Sequence, residues 1–273
     1  MKTIRLNSAL VSVEWLNEHL NSSNLIVLDA TINKTIETTS VRIPTARFFD
    51  IKQKFSDVTA KFPSTLPSEE QFQKEARALG IYTDSAVVVY DDKGMYSSAR
   101  AWWLFRVFGF ENVAVLDGGL PEWQNHNFKV ETYNRQTYAE GNVVANFQPE
   151  LMTDFKGINL YSQDSAYQIL DARSEERFKC LVDEPRAGLR RGTIPNSENL
   201  PYTNLLKGNQ LKSKLELSEI FKTIVEDENA KLVFSCGSGI TACILALAAT
   251  QCNYQNLVVY DGSWTEYGTL KPQ

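Results

Sequence analysis

The chain has 273 residues, of which 43% are hydrophobic and 22% are charged, so it is long enough for two ordinary domains with separate cores. Its formal net charge of -5 at pH 7 argues against general affinity for nucleic acid. No segment approaches the roughly 18 consecutive apolar residues of a membrane span. The 4 cysteines form neither a disulfide framework nor a metal motif. We therefore expect a cytoplasmic protein whose partners are small molecules or protein thiols, with no nucleic acid and no membrane.

The first half of the chain alternates short apolar strands with helices. In chain order, the predicted elements are a Ser-capped helix over 12–20, a strand over 25–29, a helix from Ser68 to near Gly80, a strand over 86–91, a helix over 98–108, a strand over 113–117 and a turn at Gly118-Gly119. The stretch 41–67 is rich in Pro, Phe and Ser and is predicted to be irregular. This alternation is typical of an α/β protein with a parallel sheet.

The second half of the chain repeats the first. Residues 25–30 match 167–172, and 117–123 match 261–267. Between the copies, 130–149 is polar and shows little periodicity. The repeat therefore predicts an N-terminal domain over 1–129, a linker over 130–149 and a C-terminal domain over 150–273.

The candidate reactive residue is Cys236, which follows an apolar strand and precedes an apolar helix predicted over 240–249. Parallel sheets bind ligands at the carboxyl ends of their strands, and the amides of a helix N-terminus favour an anion. Gly237 and Gly239 let the backbone curl closely around a bound group. We predict that Cys236 is a nucleophile. The first copy has Asp91 at this place, so the N-terminal domain is predicted to be catalytically silent.

Three other protein classes fit parts of this loop less well. The run 237–242 has the dinucleotide spacing G-x-G-x-x-A, but Asp261 leaves too little chain after it for the rest of a nucleotide domain. A cysteine phosphatase would carry an arginine for the phosphoryl oxygens at the position of Ala242. A Cys-His hydrolase needs a base, and both histidines, His19 and His126, fall in the first copy.

Several motifs together resemble the rhodanese superfamily. These are the tandem halves, Cys-Gly-Ser-Gly-Ile-Thr at 236–241, Asp-Gly-Ser-Trp at 261–264 and Glu-Pro-Arg-Ala-Gly-Leu-Arg-Arg-Gly at 184–192. The likeness covers nearly the whole chain and is greatest to the members that use mercaptopyruvate. It implies an α/β fold of two rhodanese-like domains, each a central parallel sheet flanked by helices, with the active site in the second. It also implies sulfur transfer with no metal and no organic cofactor.

The resemblance gives each candidate residue a role. Cys236 would form a persulfide, and Arg177 and Arg186 match the substrate-binding arginines, whose planar forks suit a keto acid carboxylate. The sulfur would be cradled by amides of the active-site loop, which comprises Gly237, Ser238, Gly239, Ile240, Thr241 and Ala242. It would come from a small-molecule donor, 3-mercaptopyruvate or thiosulfate, and pass to cyanide or to a thiol acceptor such as a thioredoxin-like protein.

The residues after the cysteine bear on the choice of donor. In thiosulfate-using members they tend to be cationic, whereas here they are Gly237 and Ser238. A neutral loop with remote arginines therefore predicts mercaptopyruvate, and a thiosulfate sulfurtransferase and a non-catalytic rhodanese-like scaffold stay as alternatives. Ser238 is expected either to bond the transferring sulfur or the substrate carbonyl, or to cap the following helix.

The chain departs from many relatives at two places where they have histidine. Arg42 and Thr193 stand there, so a proton relay that starts from a first-half histidine is not expected. Of the remaining cysteines, Cys243 and Cys252 are predicted to be core residues, because their helix is apolar nearly all round. Cys180 is predicted to be an inert surface thiol.

Overall fold

The structure is a computed structural model that describes residues 3–34, 40–133, 136–225, 229 and 231–271. It divides the chain into two compact units. The first comprises Met1–Val58, Leu66–Gln148 and Gly208–Gln210, and the second comprises Thr59–Thr65, Pro149–Lys207 and Leu211–Gln273. None of the helices in the described ranges has the length and apolar composition that a membrane span requires.

The first unit is organised around a five-stranded sheet. The elements from its start to residue 132 are β1 (Leu10–Val11), α1 (Val13–His19), β2 (Leu25–Asp29), β3 (Val41–Arg42), β4 (Arg47–Phe48), α2 (Glu69–Ala78), β5 (Ala86–Tyr90), α3 (Ser98–Val107), β6 (Val113–Leu116), α4 (Gly119–Asn125) and β7 (Glu131–Thr132). The sheet has the order β1-β6-β5-β2-β4, and every pair in it is parallel. Both faces of such a sheet are covered, which explains why β5 is buried along its whole length.

Local signals place the helices of this unit where they were predicted. The Ser12 side chain accepts the N–H of Trp15 at the start of α1, and Ser68 caps α2 in the same way. The prediction of a turn at both glycines was wrong for Gly119. Gly118, at φ 80°, makes the turn, and Gly119 already begins α4, because that short helix buries Leu120 and Trp123 in the core.

The second unit repeats this architecture. From residue 152 onward the elements are β8 (Met152–Thr153), α5 (Phe155–Tyr161), β9 (Tyr167–Asp171), α6 (Glu175–Phe178), β10 (Ser197–Asn199), β11 (Leu206–Lys207), β12 (Gln210–Leu211), α7 (Lys214–Ile224), β13 (Lys231–Ser235), α8 (Ala242–Gln251), β14 (Leu257–Tyr260) and α9 (Ser263–Leu270). Of these, β11 and β12 form a separate two-stranded sheet. The sheet order β10-β9-β13-β14-β8 is again all parallel. The predicted class, α/β with two parallel sheets flanked by helices, is confirmed.

Helix α8, which follows the loop of the candidate nucleophile, is deeply buried. Every residue from Ala242 to Ala249 is 0% exposed, so this helix is enclosed on all sides. Cys243 lies within that stretch and is a core residue, as predicted. The prediction was wrong for Cys252, which is half-buried because it lies at the C-cap, beyond the enclosed part of the helix.

The segment 130–149, predicted to be a linker, contributes side chains to the first unit. Tyr133 is buried and its hydroxyl donates to the Asp29 carboxylate, with an O–O distance of 2.5 Å. Val143 and Ala145 are also buried. Residues 134–135 of the segment lie outside the described residues. The domain boundaries at 129 and 150 stay a prediction.

Candidate active site

Cys236 directly follows β13, the middle strand of the second sheet. The strands on either side, β9 and β14, end at Asp171 and Tyr260, so all three carboxyl ends meet at one edge. Cys236 is 1% exposed, and its carbonyl accepts the N–H of Trp264 at 2.9 Å. The candidate nucleophile therefore occupies the edge of the sheet where α/β proteins bind ligands.

The loop after Cys236 presents backbone N–H groups that have no acceptor among the described residues. These amides belong to Gly237, Ser238, Ile240, Thr241 and Ala242. Ala242 also begins α8, whose N-terminus carries a partial positive charge. Unpaired amides at a helix N-terminus form a site that can bind a negatively charged group.

Ser263 holds this loop in place. Its Oγ accepts the N–H groups of Cys236 and Gly239, each at 3.1 Å, and donates to the carbonyl of Tyr260 at 2.9 Å. It also lies 3.9 Å from the Cys236 Sγ. Ser263 is fully buried at φ 49°, a backbone conformation that a residue with a side chain seldom adopts. A strained serine thus fixes both the reactive residue and the turn that follows it.

The Ser263 contacts correct one sequence-based expectation. Gly239 was expected to direct its amide at the transferring sulfur, but that N–H is taken by the serine hydroxyl. The reason is geometric, since Gly239 sits at φ 74° and closes the turn. The Asp-Gly-Ser-Trp motif at 261–264 marked Ser263 in the sequence, but the motif did not show that this serine binds the amides of the loop.

Arg177 reaches the loop from the short helix α6. Its Nη2 atom lies 3.1 Å from the position that a Cβ atom would take on Gly237, so any side chain there would displace the guanidinium. Nη2 donates to Glu184 at 2.5 Å, whereas the buried Nε has no acceptor among the described residues. A buried donor without a partner costs free energy unless a ligand binds it. Arg177 therefore places its guanidinium beside Gly237, the residue next to Cys236.

Arg186 is placed differently. Its side chain is exposed, on the turn that follows Glu184, and among the described residues none pairs with its guanidinium. Its backbone carbonyl accepts the N–H of Leu189 and so fixes the turn. The structure thus brings Arg177 to the active-site loop and leaves Arg186 as a free cation on the surface.

A buried network of charges lies behind Arg177. The Arg173 side chain is 0% exposed and donates to Asp171 at 2.7 Å, to Glu184 at 2.7 Å and to the carbonyl of Gly192 at 3.0 Å. Its guanidinium carbon lies 4.8 Å from the centre of the Trp264 ring. Burial raises the pKa of the Asp171 carboxyl, and the Arg173 guanidinium opposes that rise. Sequence reasoning missed this network, because its charges resemble a surface cluster when only the sequence is known.

The other candidates in this unit have lesser positions. Ser238 is half-exposed, and its hydroxyl has no partner among the described residues. Of its two expected roles, the one as helix cap is wrong, because Thr241 stands at the N-cap of α8. Cys180 has intermediate exposure, and its assignment as an inert surface thiol stays a prediction. Among the described residues, no group of His, Cys, Asp and Glu could hold a metal ion.

The equivalent loop of the first unit is filled by its own carboxylate. Asp91, 1% exposed, follows β5 as Cys236 follows β13, and its two oxygens accept the N–H groups of Lys93, Ser97 and Ser98, each at 2.8 Å. Gly119, at φ 55°, stands where the second unit has Ser263. The amides that would bind an external anion are therefore already paired with Asp91.

Replacing Asp91 with alanine is expected to destabilise the first unit by about 3 kcal/mol, because three backbone amides lose a charged acceptor. The measurement is urea unfolding of the full chain, followed through the transition of the first unit. Asp92→Ala is the matched control, since Asp92 is the exposed neighbour of Asp91 and should change stability by less than about 1 kcal/mol. Equal stability of the two variants would contradict the assigned role of Asp91.

Comparison with known proteins matches both units to one family. The rhodanese-like domain model matches residues 12–126 and 158–269. The chain is 38% identical over 266 residues to 3-mercaptopyruvate sulfurtransferase of Escherichia coli K12, covering 94% of each chain, and 36% identical over 281 residues to thiosulfate sulfurtransferase of Rattus norvegicus, covering 98% of this chain and 94% of that one. The crystal structure of the 3-mercaptopyruvate sulfurtransferase SseA from Escherichia coli matches with a TM-score of 0.84 at 36% identity, covering 94% of this chain and 99% of that chain. The chain belongs to the rhodanese family, with two rhodanese-like domains in tandem.

Proposed function

We propose that this chain is a sulfurtransferase that moves a sulfane sulfur from 3-mercaptopyruvate through a persulfide on Cys236 to a thiol or cyanide acceptor and releases pyruvate. One observation carries the proposal. A buried cysteine opens a loop whose amides have no acceptor among the described residues, and the Arg177 guanidinium lies at the same loop, with its Nη2 atom beside Gly237. A nucleophilic sulfur, donors for its negative charge and a donor for a carboxylate are what this reaction needs.

In the first step the Cys236 thiolate attacks the sulfur of the substrate. A sulfur–sulfur bond forms and the carbon–sulfur bond breaks, and its electron pair leaves with pyruvate as the enolate. The proton of the substrate thiol passes to the methylene carbon of the enolate, which leaves the outer sulfur of the persulfide as an anion. The negative charge on the outer sulfur is stabilised by amides of Gly237, Ser238, Ile240, Thr241 and Ala242. No metal or organic cofactor takes part in this scheme.

The substrate carboxylate binds to the Arg177 guanidinium in this scheme, because that side chain is 24% exposed and lies beside Gly237. Arg186, exposed on its turn and without a partner among the residues that the structure describes, supplies a second positive charge and attracts the anionic donor. In the second step an acceptor thiolate attacks the outer sulfur and regenerates the Cys236 thiolate, which makes the cycle ping-pong. A thioredoxin-like protein dithiol would suit this step. A reducing compartment such as the cytoplasm fits a chain with free cysteines.

The first domain has no catalytic part in this proposal, because Asp91 occupies its loop and a carboxylate cannot act as the soft nucleophile. Thiosulfate is the second candidate donor, and two observations favour it. A relative of similar identity is named thiosulfate sulfurtransferase, and the Arg177 guanidinium adds positive charge beside Gly237. The loop itself is neutral, which keeps mercaptopyruvate as the first choice.

The test measures pyruvate formation from 3-mercaptopyruvate with dithiothreitol as the acceptor, beside thiocyanate formation from thiosulfate and cyanide. We expect kcat/KM to be at least about tenfold higher with mercaptopyruvate. Mass spectrometry after incubation with the donor alone should show one additional sulfur atom on the peptide that contains Cys236. A preference for thiosulfate would overturn the choice of donor, and inactivity with both donors would favour the scaffold alternative.

A further inference from the structure

We infer that Glu184 is the positioning residue of the carboxylate site, acting through Arg177. The inference rests on the proposed function, in which Arg177 binds the substrate. Glu184 does not touch the substrate in this arrangement; it sets the direction in which the guanidinium of Arg177 presents its free donors.

Glu184 is a buried carboxylate that is shared between two arginines. Its side chain is 1% exposed; one oxygen accepts from Arg173 Nη1 at 2.7 Å and the other from Arg177 Nη2 at 2.5 Å. Arg173 is in turn fixed by Asp171, on which two of its nitrogens converge. The carboxylate therefore has no freedom to rotate, since each oxygen is bound to a different cation.

Arg177 is the partly exposed end of this chain of contacts. Its side chain is 24% exposed and extends from α6, a helix of only 4 residues, and Glu184 is its ion-pair partner among the described residues. The pairing at Nη2 holds the guanidinium against Gly237 and leaves the buried Nε unpaired. Without Glu184 the side chain could turn to solvent, and substrate binding would have to order it again.

The charges of this network also balance before any substrate binds. Asp171 and Glu184 offset the charges of buried Arg173 and partly exposed Arg177, so the four side chains together carry no net charge. The substrate carboxylate then meets a guanidinium that is already oriented and only partly exposed to solvent. Such preorganisation lowers KM and has little effect on the chemical step, because the carboxylate is bound alike in the ground and transition states.

The test is a double-mutant cycle with Glu184→Gln and Arg177→Met, measured as kcat and KM for 3-mercaptopyruvate. We expect Glu184→Gln alone to raise KM about tenfold with kcat within about twofold. In the Arg177→Met background, the same change should alter KM less than about twofold, because Glu184 then has no substrate arginine to orient. Glu176→Gln is the matched control, since it removes the same charge from an exposed residue of α6 and should leave both constants unchanged.

Glu184→Gln also removes a partner of buried Arg173, so its fold is checked by the rate at which iodoacetamide alkylates Cys236, which should equal that of the wild type. If this variant does not fold, Glu184→Asp replaces it; the shorter carboxylate keeps the charge and cannot reach both arginines, so KM should again rise. Additive effects in the cycle, or a fall in kcat at constant KM, would overturn the inference while Arg177 keeps its role. A wild-type KM in Arg177→Met would overturn the proposed carboxylate site and the inference with it.

Discussion

A Cys236→Ser variant is expected to lose about 10⁴-fold or more in the rate of sulfur transfer, from mercaptopyruvate and from thiosulfate alike. A serine hydroxyl is not ionised at neutral pH, and its oxygen cannot form the persulfide that links the two half-reactions. The loop amides would remain, but they stabilise charge on a sulfur that is no longer there. The measurement is pyruvate or thiocyanate formation at saturating donor, with the mass of the donor-treated protein as a second readout.

Cys252→Ser is the matched control for this variant. Cys252 is a half-buried thiol at the C-cap of α8, and burial raises the pKa of its thiol, which keeps it in the unreactive form. This control should keep its activity within about twofold and should still gain one sulfur atom on incubation with donor. If Cys236→Ser kept its turnover and Cys252→Ser lost it, the nucleophile would be Cys252 and the assignment to Cys236 would be wrong.

The fold was predictable because its signals are local. Strands such as β5 are short apolar runs, the serine caps of α1 and α2 lie next to the helices they start, and the internal repeat shows both units to be alike. The position of Cys236 at the end of a strand followed from the same pattern. The predictions for Gly119 and Cys252 were wrong because both residues lie at the ends of helices, where burial of neighbouring side chains decides the boundary.

The supports of the site were not predictable, because they depend on contacts between distant residues. Ser263 binds the amide of Cys236 from 27 residues away, and no periodicity relates the two. Arg173, Arg177 and Glu184 stand among other charged residues, and the sequence cannot show that Arg173 and Glu184 are buried. Burial changes the meaning of a charge, since an exposed pair contributes little whereas a buried one must be fully paired.

A Ser263→Ala variant is expected to lower kcat about 10²-fold and to destabilise the second unit by about 2 kcal/mol. The change removes the acceptor of two buried amides, those of Cys236 and Gly239. The turn is then free to relax, and the sulfur and the unpaired amides of the loop lose their fixed relation. Donor turnover and urea unfolding of the full chain measure the two effects.

Ser235→Ala is the control that matches this change most closely. Ser235 is also fully buried and directly precedes Cys236, but its hydroxyl has no hydrogen-bond partner within the described part of the chain. Removing it should leave turnover within about twofold of the wild type. Stability should be unchanged or slightly higher, because a buried hydroxyl without a partner destabilises the folded state and the change removes it. The same serine-to-alanine change is thus expected to be damaging at Ser263 and nearly neutral at Ser235.

Ser263→Gly separates the hydroxyl from the backbone strain. Glycine adopts φ 49° without steric cost, as Gly119 does at φ 55° in the first unit, so this variant should be as inactive as Ser263→Ala. Its stability reflects two opposing effects, relief of strain in the folded state and greater freedom of the unfolded chain. If Ser263→Gly kept wild-type turnover, the hydroxyl would be dispensable, and only the left-handed backbone at this position would be needed to hold Cys236 in place.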